Sequence, residues 1–343
     1  MPTPIETVPT SVAAFIGAST GPSEPAKVAT WSEFLAAWPD STALAVAVEE
    51  FFRNGGQSAW VSPIARVTAS AVRRAVNALH PDVSLVVIAA EPAVSPTVVA
   101  AAAKALQGRP ALLLIEPRWV SVKAAREALA AGAEVALGAS AADVVAYWPR
   151  LRRKGAFAPV SPLGAVAGVF ARTDATLGFW RAPAGNHAAL HGTPSLAIAL
   201  TDSDTELLTR HGINTIRSFP GRGTLVWGAR TTSPDPEWRY VSVRRLSMTL
   251  TESIRRGLQW AVFEPNAEPL WNQMRRDVSA FLLAHFRQGA LVGATPEDAF
   301  FVRCDRDTMT AADIAAGRLI VTFGFAPLLP AEFIVQTIRL QIA

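Results

Sequence analysis

The chain has 343 residues, half of them hydrophobic and 17% charged, with a net charge of +4. That length and balance suit two modest domains with buried cores, and they exclude a disordered chain. A single cysteine, Cys304, excludes an internal disulfide framework and fits folding in a reducing cytosol.

The opening MPTPIETVPT carries no positive n-region and no apolar h-region, so it does not read as a signal peptide. No apolar run approaches the ~20 residues of a membrane-spanning helix, so no direct membrane insertion is expected. Ser11 to Ala18 reads as a strand ended by Gly21-Pro22. Leu44, Val48, Phe51 and Phe52 form a helical stripe, stopped by Asn54-Gly55-Gly56. Ala59 to Ile64 is the next strand.

Val83 to Ala90 and Ala111 to Ile115 are apolar runs that read as buried strands. Between them Ser95-Pro96 starts a helix, with serine as cap and proline in the first turn. Ser121 to Ala131 is a further helix closed by Gly132, and Gly164 to Ala171 is another. This alternation predicts βαβ units, a largely parallel sheet and an α/β fold class. Phe179 to Gly192, rich in Gly, Pro and Asn, reads as a loop.

From about Ile213 the pattern changes. Val243, Leu246, Leu250, Ile254 and Leu258 mark a long helix, with Glu252 and Arg256 paired on another face. Pro269 begins a second helix, striped by Leu270, Met274, Val278, Phe281, Leu282 and His285. Phe300 to Cys304 and Leu319 to Phe325 read as strands, and Thr310 with Asp313 starts a short helix by a capping box. Glu332 to Ala343 alternates, with Ile338, Leu340 and Ile342 on one side and Arg339 and Gln341 on the other.

Several residue groups resemble sites. His191-Gly192-Thr193 repeats the triplet around a subtilisin histidine, but Ser195 follows too closely for a separate strand–helix turn. His187 and His191 are four apart, yet they lie in a loop with no glutamate between them, so no metal site is expected. Pro220 to Gly223 is a tight turn without the Gly-Lys-Ser/Thr of a phosphate loop. Trp227, Trp238, Trp260 and Trp271 read as core and interdomain packing, and Cys304 as a buried small hydrophobe. Arg244-Arg245, Arg255-Arg256 and Arg275-Arg276, with Arg150, Arg152, Arg153 and Lys154, could face nucleic acid. No helix-turn-helix, RRM or OB pattern accompanies them, so a protein partner or a solvated face is expected instead, and no nucleic acid. No catalytic residues and no cofactor are expected.

The run FPGRGTLVWGARTTSPDPEWRYVSVRRLSMTLTESIRRGLQWAVFEPN, residues 219–266, resembles the C-terminal domain of contractile tail sheath proteins of phages and phage-like injection systems. The likeness continues through GALVGATPEDAFFVRCD and TMTAADIAAGRLIVTFGFAPLLPAEFI. IETVPTSVAAFIG, FFRNGG, PLGAVAGVFARTD and WRAPAGN are similar to earlier family segments; residues 65–150 agree in pattern only.

The resemblance implies a structural subunit, not an enzyme, that stacks as six-membered rings around an inner tube. Contraction, signalled by a baseplate, would drive the tube through a target envelope. The implied partners are further copies, the tube protein, and baseplate and tail-terminator or cap proteins. The implied place is a phage tail or tail-like particle assembled in the cytoplasm.

The implied fold is an α+β inner domain from residues 1–65 and 213–343. Residues 66–212 would be inserted as an outer α/β domain with a largely parallel, subtilisin-like sheet. Neighbouring sheath subunits exchange strands through their terminal arms, a form of β-augmentation. Here Glu332, Ile334, Gln336, Ile338, Leu340 and Ile342 belong to the arm expected to be donated; extended, it spans roughly 40 Å at ~3.3 Å per residue. Arg244, Arg245, Arg255 and Arg256 are expected to touch the tube or a neighbour. Family chains carry a further segment ahead of the position of Ile5; its absence here fits a trimmed chain, a misassigned start or a one-armed paralogue, and puts exchange through the N-terminus in doubt. An alternative is therefore a sheath paralogue with one exchange arm, acting at a sheath end.

Overall fold

The computed structural model of the chain describes residues 4–39, 42–132, 137–153, 158–192, 195–328 and 333–342. Lys154, Thr193 and Glu332, singled out above, lie outside them. The chain forms two compact units, Pro9–Arg244 and Met1–Val8 with Arg245–Ala343.

The larger unit opens with strand β1 (Ala13–Ala18), strand β2 (Ala26–Val28) and helices α1 (Trp31–Ala37) and α2 (Ala43–Arg53). There follow β3 (Ala59–Ile64), α3 (Ala69–Asn77), β4 (Leu85–Ala89), α4 (Pro96–Leu106), β5 (Leu112–Ile115) and α5 (Val122–Ala130). Next come β6 (Val144–Trp148), the two-residue β7 (Leu151–Arg152), α6 (Leu163–Leu177) and the two-residue β8 (Ser195–Leu196). Helix α7 (Asp202–Arg210) leads into the hairpin of β9 (Ile213–Phe219) and β10 (Gly223–Val226).

Eight strands make one sheet in the order β10-β9-β6-β5-β4-β1-β3-β2. The six inner strands are parallel and the edge strands β2 and β10 antiparallel. Strands β1, β4, β5 and β6 are nearly continuous apolar runs because helices cover both faces. Ala14, Ile16, Val86, Ile88, Leu113, Ile115, Val144 and Ala146 meet α3, α4, α5 and α7 on one face. The opposite face meets α2 and α6, with the rings of Phe15 and Phe51 5.3 Å apart and those of Tyr147 and Phe170 6.5 Å apart.

Local chemistry starts and stops these helices. The side chains of Thr30, Thr68 and Ser121 accept from the third backbone N–H of α1, α3 and α5. Gly132, at φ +61°, follows α5. At α7, Thr201 and Asp204 cap each other reciprocally. The Asp204 carboxyl is held below its usual range by the Thr201 hydroxyl and by Arg126, 2.7 Å away. Thr201→Ala is expected to lower stability by about 1 kcal/mol, read as a shift in the urea midpoint. The carboxylate's stabilising contribution is present above its unfolded pKa and is lost as pH falls through the depressed folded value.

The smaller unit holds most of α8 (Val241–Gly257), then α9 (Glu268–Arg287), the short α10 (Pro296–Ala299), β11 (Phe300–Arg303), α11 (Ala311–Ala315), β12 (Arg318–Phe325) and β13 (Ile334–Gln341). The last three strands form an antiparallel sheet in the order β11-β12-β13. The expected stripes of α8 and α9 are buried, and His285 is buried with them. Residues 4–8 join this unit. Ile5 packs on Gly257, the Val8 N–H donates to Ser253 Oγ at 3.0 Å, and Thr7 Oγ1 lies 3.2 Å from His285 Nε2.

The division differs from the expected one. Residues 9–65 and 213–244 belong to the larger unit, not with the C-terminal sheet. The reason is strand pairing. β1 is flanked in register by β3 and β4, and β9 lies in register against β6. A boundary at residue 65 or 212 would cut this continuous hydrogen-bonded sheet. The tryptophan reading also changes. Trp271 is buried, whereas Trp227, Trp238 and Trp260 are half-buried, and the fully buried tryptophans are Trp38 and Trp148.

Candidate functional site

The terminal sheet of the smaller unit carries the residues expected for strand donation. Strand β13 lies on its own chain's β12 with eight residue pairs, from Ile334↔Phe325 to Gln341↔Arg318. Ile334, Ile338, Leu340 and Ile342 are buried; Gln336 is half-buried in the same row. Val335, Thr337, Arg339 and Gln341 point to the opposite, exposed face. This is the expected one-sided alternation, here satisfied within one chain. Among the described residues β13 is an edge strand, so its far side offers an unpaired backbone row to a further strand.

The arginines separate into different environments. Arg244 is tied inside the larger unit. Its Nε lies 2.7 Å from Asp143 Oδ1, and its guanidinium sits 4.9 Å from the Trp238 ring centre. Burial raises the Asp143 carboxyl, against the lowering pull of Arg244. Arg245 is only 4% exposed. Arg244 keeps 23% of its side chain exposed, whereas little of Arg245 is open to a partner. The partner that orients Arg244 lies 101 positions earlier, where no local signal points to it.

Arg255 and Arg256 differ because α8 emerges at its C-terminal end. Arg255 donates to Glu252 through Nε at 2.8 Å and Nη2 at 2.7 Å, and Arg256 Nε donates to the same carboxylate at 2.6 Å. Burial pushes the Glu252 carboxyl up, but the two guanidiniums outweigh it and hold it below its usual value. The Arg255 side chain is 51% exposed at the surface and that of Arg256 33%. Phe263, 86% exposed, stands just beyond on the following 3-10 turn. Arg255→Ala is expected to change stability by less than about 1 kcal/mol, as for other exposed pairs, measured by thermal unfolding.

Arg150, Arg153 and Arg275 have partners within the chain. Arg150 donates to Glu91 at 2.8 Å and to Glu116 at 3.3 Å; Arg153 contacts Glu49 at 2.7 Å and Glu50 at 3.1 Å. Arg275 donates to the Cys304 carbonyl and to Asn272. The carboxylates beside Arg150 and Arg153 offset charge that a phosphate backbone would otherwise meet. Cys304 is fully buried, which pushes its thiol up to about 12.

His187 and His191 lie in a loop. His187 Nε2 is 2.9 Å from the Ala182 carbonyl, and the His191 N–H donates to Asn54 at 2.8 Å. Among the described residues no group of three or more His, Cys, Asp or Glu is placed to hold a metal. At the β9–β10 turn, Gly221 and Gly223 have φ of +73° and +77°, as a tight turn requires.

Sequence reasoning missed one feature of the terminal sheet. Phe301, on β11, lays its ring over Gly324 of β12 and stacks on Phe333. A glycine inside a strand between two phenylalanines is the signal that could have drawn attention to it.

Comparison with known proteins places this geometry. Residues 68–232 match the phage tail sheath protein central domain, and residues 233–341 match the phage tail sheath C-terminal domain. A prophage major tail sheath protein of Pseudomonas aeruginosa (strain UCBPP-PA14) is 30% identical over 193 residues, covering 55% of this chain and 47% of that one. The tail sheath protein of Enterobacteria phage T4 is 27% identical over 169 residues, 48% of this chain and 25% of the phage protein. The chain thus spans about half or less of the length of these relatives.

Among solved structures, the anti-feeding prophage helical sheath in its contracted state superposes with TM-score 0.81 and 27% identity, covering 97% of this chain and 94% of that one. A chain of the anti-feeding prophage baseplate in its contracted state gives TM-score 0.81 and 29% identity, covering 98% and 94%. With both domains matched in order and the fold shared over nearly its whole length, the chain belongs to the contractile tail sheath family.

Proposed function

We propose that this chain is a structural subunit of a contractile sheath, in a phage tail or a tail-like injection particle assembled in the cytoplasm. Its partners are further copies of itself in stacked six-membered rings, an inner tube protein, and the baseplate and cap proteins at the two ends. It performs no catalysis. Work comes from the difference between two packings of rigid bodies joined by extended arms.

The observation that carries the reading is the near whole-length likeness to a sheath chain in its contracted state. The terminal strand supports it. Strand β13 is an edge strand with one apolar face, the form in which a neighbour's strand is added or exchanged. Arg255 and Arg256 offer the registered but releasable charge contacts that a sliding grip on a tube or neighbour needs. Electron microscopy of cells expressing the complete operon should show rods with an outer helical layer, and gold label on this chain should run along it. Rods whose outer layer lacks the label would overturn the reading.

A second reading rests on the baseplate match. In it the chain is a sheath paralogue at one end of the rod. Label confined to one end, with an unlabelled shaft, would favour it.

A further inference from the structure

The buried face of β13 specifies its pairing less tightly than its alternation suggests. A one-residue slip would turn every apolar side chain outward and is excluded. A two-residue slip is different. In the observed register Ile334, Gln336, Ile338 and Leu340 face Phe325, Phe323, Val321 and Leu319. Slipped by two, Gln336, Ile338, Leu340 and Ile342 would face those same four residues. Each arrangement sets three apolar side chains and one glutamine against the same surface. The inner row alone barely separates them.

The outer face does separate them. Phe301, Gly324 and Val335 form one row across β11, β12 and β13. A Cβ on Gly324 would lie 2.3 Å from Phe301 Cε1 and 2.7 Å from its Cζ, so the ring lies flat on bare backbone. Across Gly324 the ring reaches Phe333, with centroids 6.1 Å apart and planes inclined by 29°. Arg303 closes the other end, its guanidinium 5.2 Å from the Phe301 centroid. Slipping by two would carry Phe333 out of reach and set Thr337 over Gly324.

We infer that the row Phe301–Gly324–Phe333 selects the register in which the terminal strand is taken up. It does so whichever copy supplies the strand; only for a strand from a neighbouring copy does the inference rest on the function proposed above. Phe301 and Phe333 are then specificity-determining residues of assembly. Gly324 is the position that lets one ring span the central strand.

Paired cysteines in the full-length chain test this. Thr322 and Thr337 are opposite each other, with hydroxyls 3.4 Å apart. Thr322→Cys with Thr337→Cys therefore reports the observed register, and Thr322→Cys with Arg339→Cys reports the two-residue slip. Cys304 is buried and does not compete. With the aromatic row intact, the first pair should close on mild oxidation and the second should not. Phe301→Ala or Phe333→Ala should raise closure of the second pair roughly two- to tenfold, the strength of one aromatic pair. Phe333→Tyr should restore the original preference.

Phe333 is 42% exposed, so its alanine variant leaves the core intact. Closure of the slipped pair that both alanine variants leave unchanged would overturn the inference. So would equal closure of the two pairs with the row intact. A non-reducing gel separately reads the donor: a closed monomer means a strand from the same chain, and a ladder means a strand from a neighbour. The exchange proposal can thus fail while the register inference stands, and the reverse.

Discussion

Gly164→Val is expected to cost about 3 kcal/mol or more, at or above the top of the usual range for overpacking. Gly164 and Gly168 stand one helical turn apart on α6, facing α2. A Cβ on Gly164 would lie 2.1 Å from the Ala47 carbonyl oxygen, and one on Gly168 would lie 2.5 Å from that of Phe51. These neighbours are backbone, so no rotamer change relieves the clash. The helices would have to separate, opening voids around Phe15, Phe51 and Phe170, all fully buried. Urea unfolding should show the midpoint drop; a midpoint within experimental error of the parent would show that α2 and α6 do not pack this closely.

The second large effect is electrostatic. Arg150→Met is expected to destabilise the chain by about 3–5 kcal/mol at pH 8, because it strands a buried carboxylate. Glu116 is 6% exposed. Burial raises its carboxyl even though Arg150 is beside it, while Arg150, lowered by burial, is raised overall by Glu91 and Glu116 together. Both values rise, but to opposite effect: the charged guanidinium is favoured and the charged carboxylate is not, because the carboxylate is the more deeply buried partner and bears more of the desolvation. Without the guanidinium the Glu116 carboxyl should rise further.

A carboxyl with a raised folded pKa holds its proton more tightly in the native state. Its penalty is therefore present above the raised value and disappears as pH falls toward the unfolded one. The deficit of Arg150→Met should shrink between pH 8 and pH 5. Arg150→Met with Glu116→Gln should be flatter with pH across that interval, and chemical denaturation at the two pH values measures both. A deficit that is constant with pH would mean that Glu116 is not the group left uncompensated.

Local pattern carried much of this fold. Ala59–Ile64 is a strand with the bounds its composition suggested, and the α9 stripe from Leu270 to His285 is buried as its spacing implied. Among the elements that escaped was β6, whose five buried residues follow a 3-10 turn without a proline or glycine pair to announce them. The short helices α3 and α7 also escaped, because their apolar stripes are brief.

Domain limits were illegible for a different reason. Whether β1 joins the first sheet or the last depends on partners 46 and 72 positions away, Ala59 and Leu85 for Ala13. At the candidate site, the arginine doublets were visible but their environments were not. Arg244 and Arg245 look like Arg255 and Arg256 in sequence; only the packing of α8 makes Arg245 buried, Arg255 exposed and the other two half-buried.

The placement of β13 on its own chain has a consequence for supply. A strand exchanged between copies would make the same contacts it makes at home, so little enthalpy favours either arrangement. The choice then falls to mass action: a dilute subunit keeps its strand, and a crowded, ordered array raises the effective concentration of a neighbour's strand until exchange competes. Until that point Ile334, Ile338, Leu340 and Ile342 stay covered. If copies exchange this strand as proposed, each subunit would be stored with its adhesive folded inward, and copies could accumulate before a nucleus forms without sticking to one another at random.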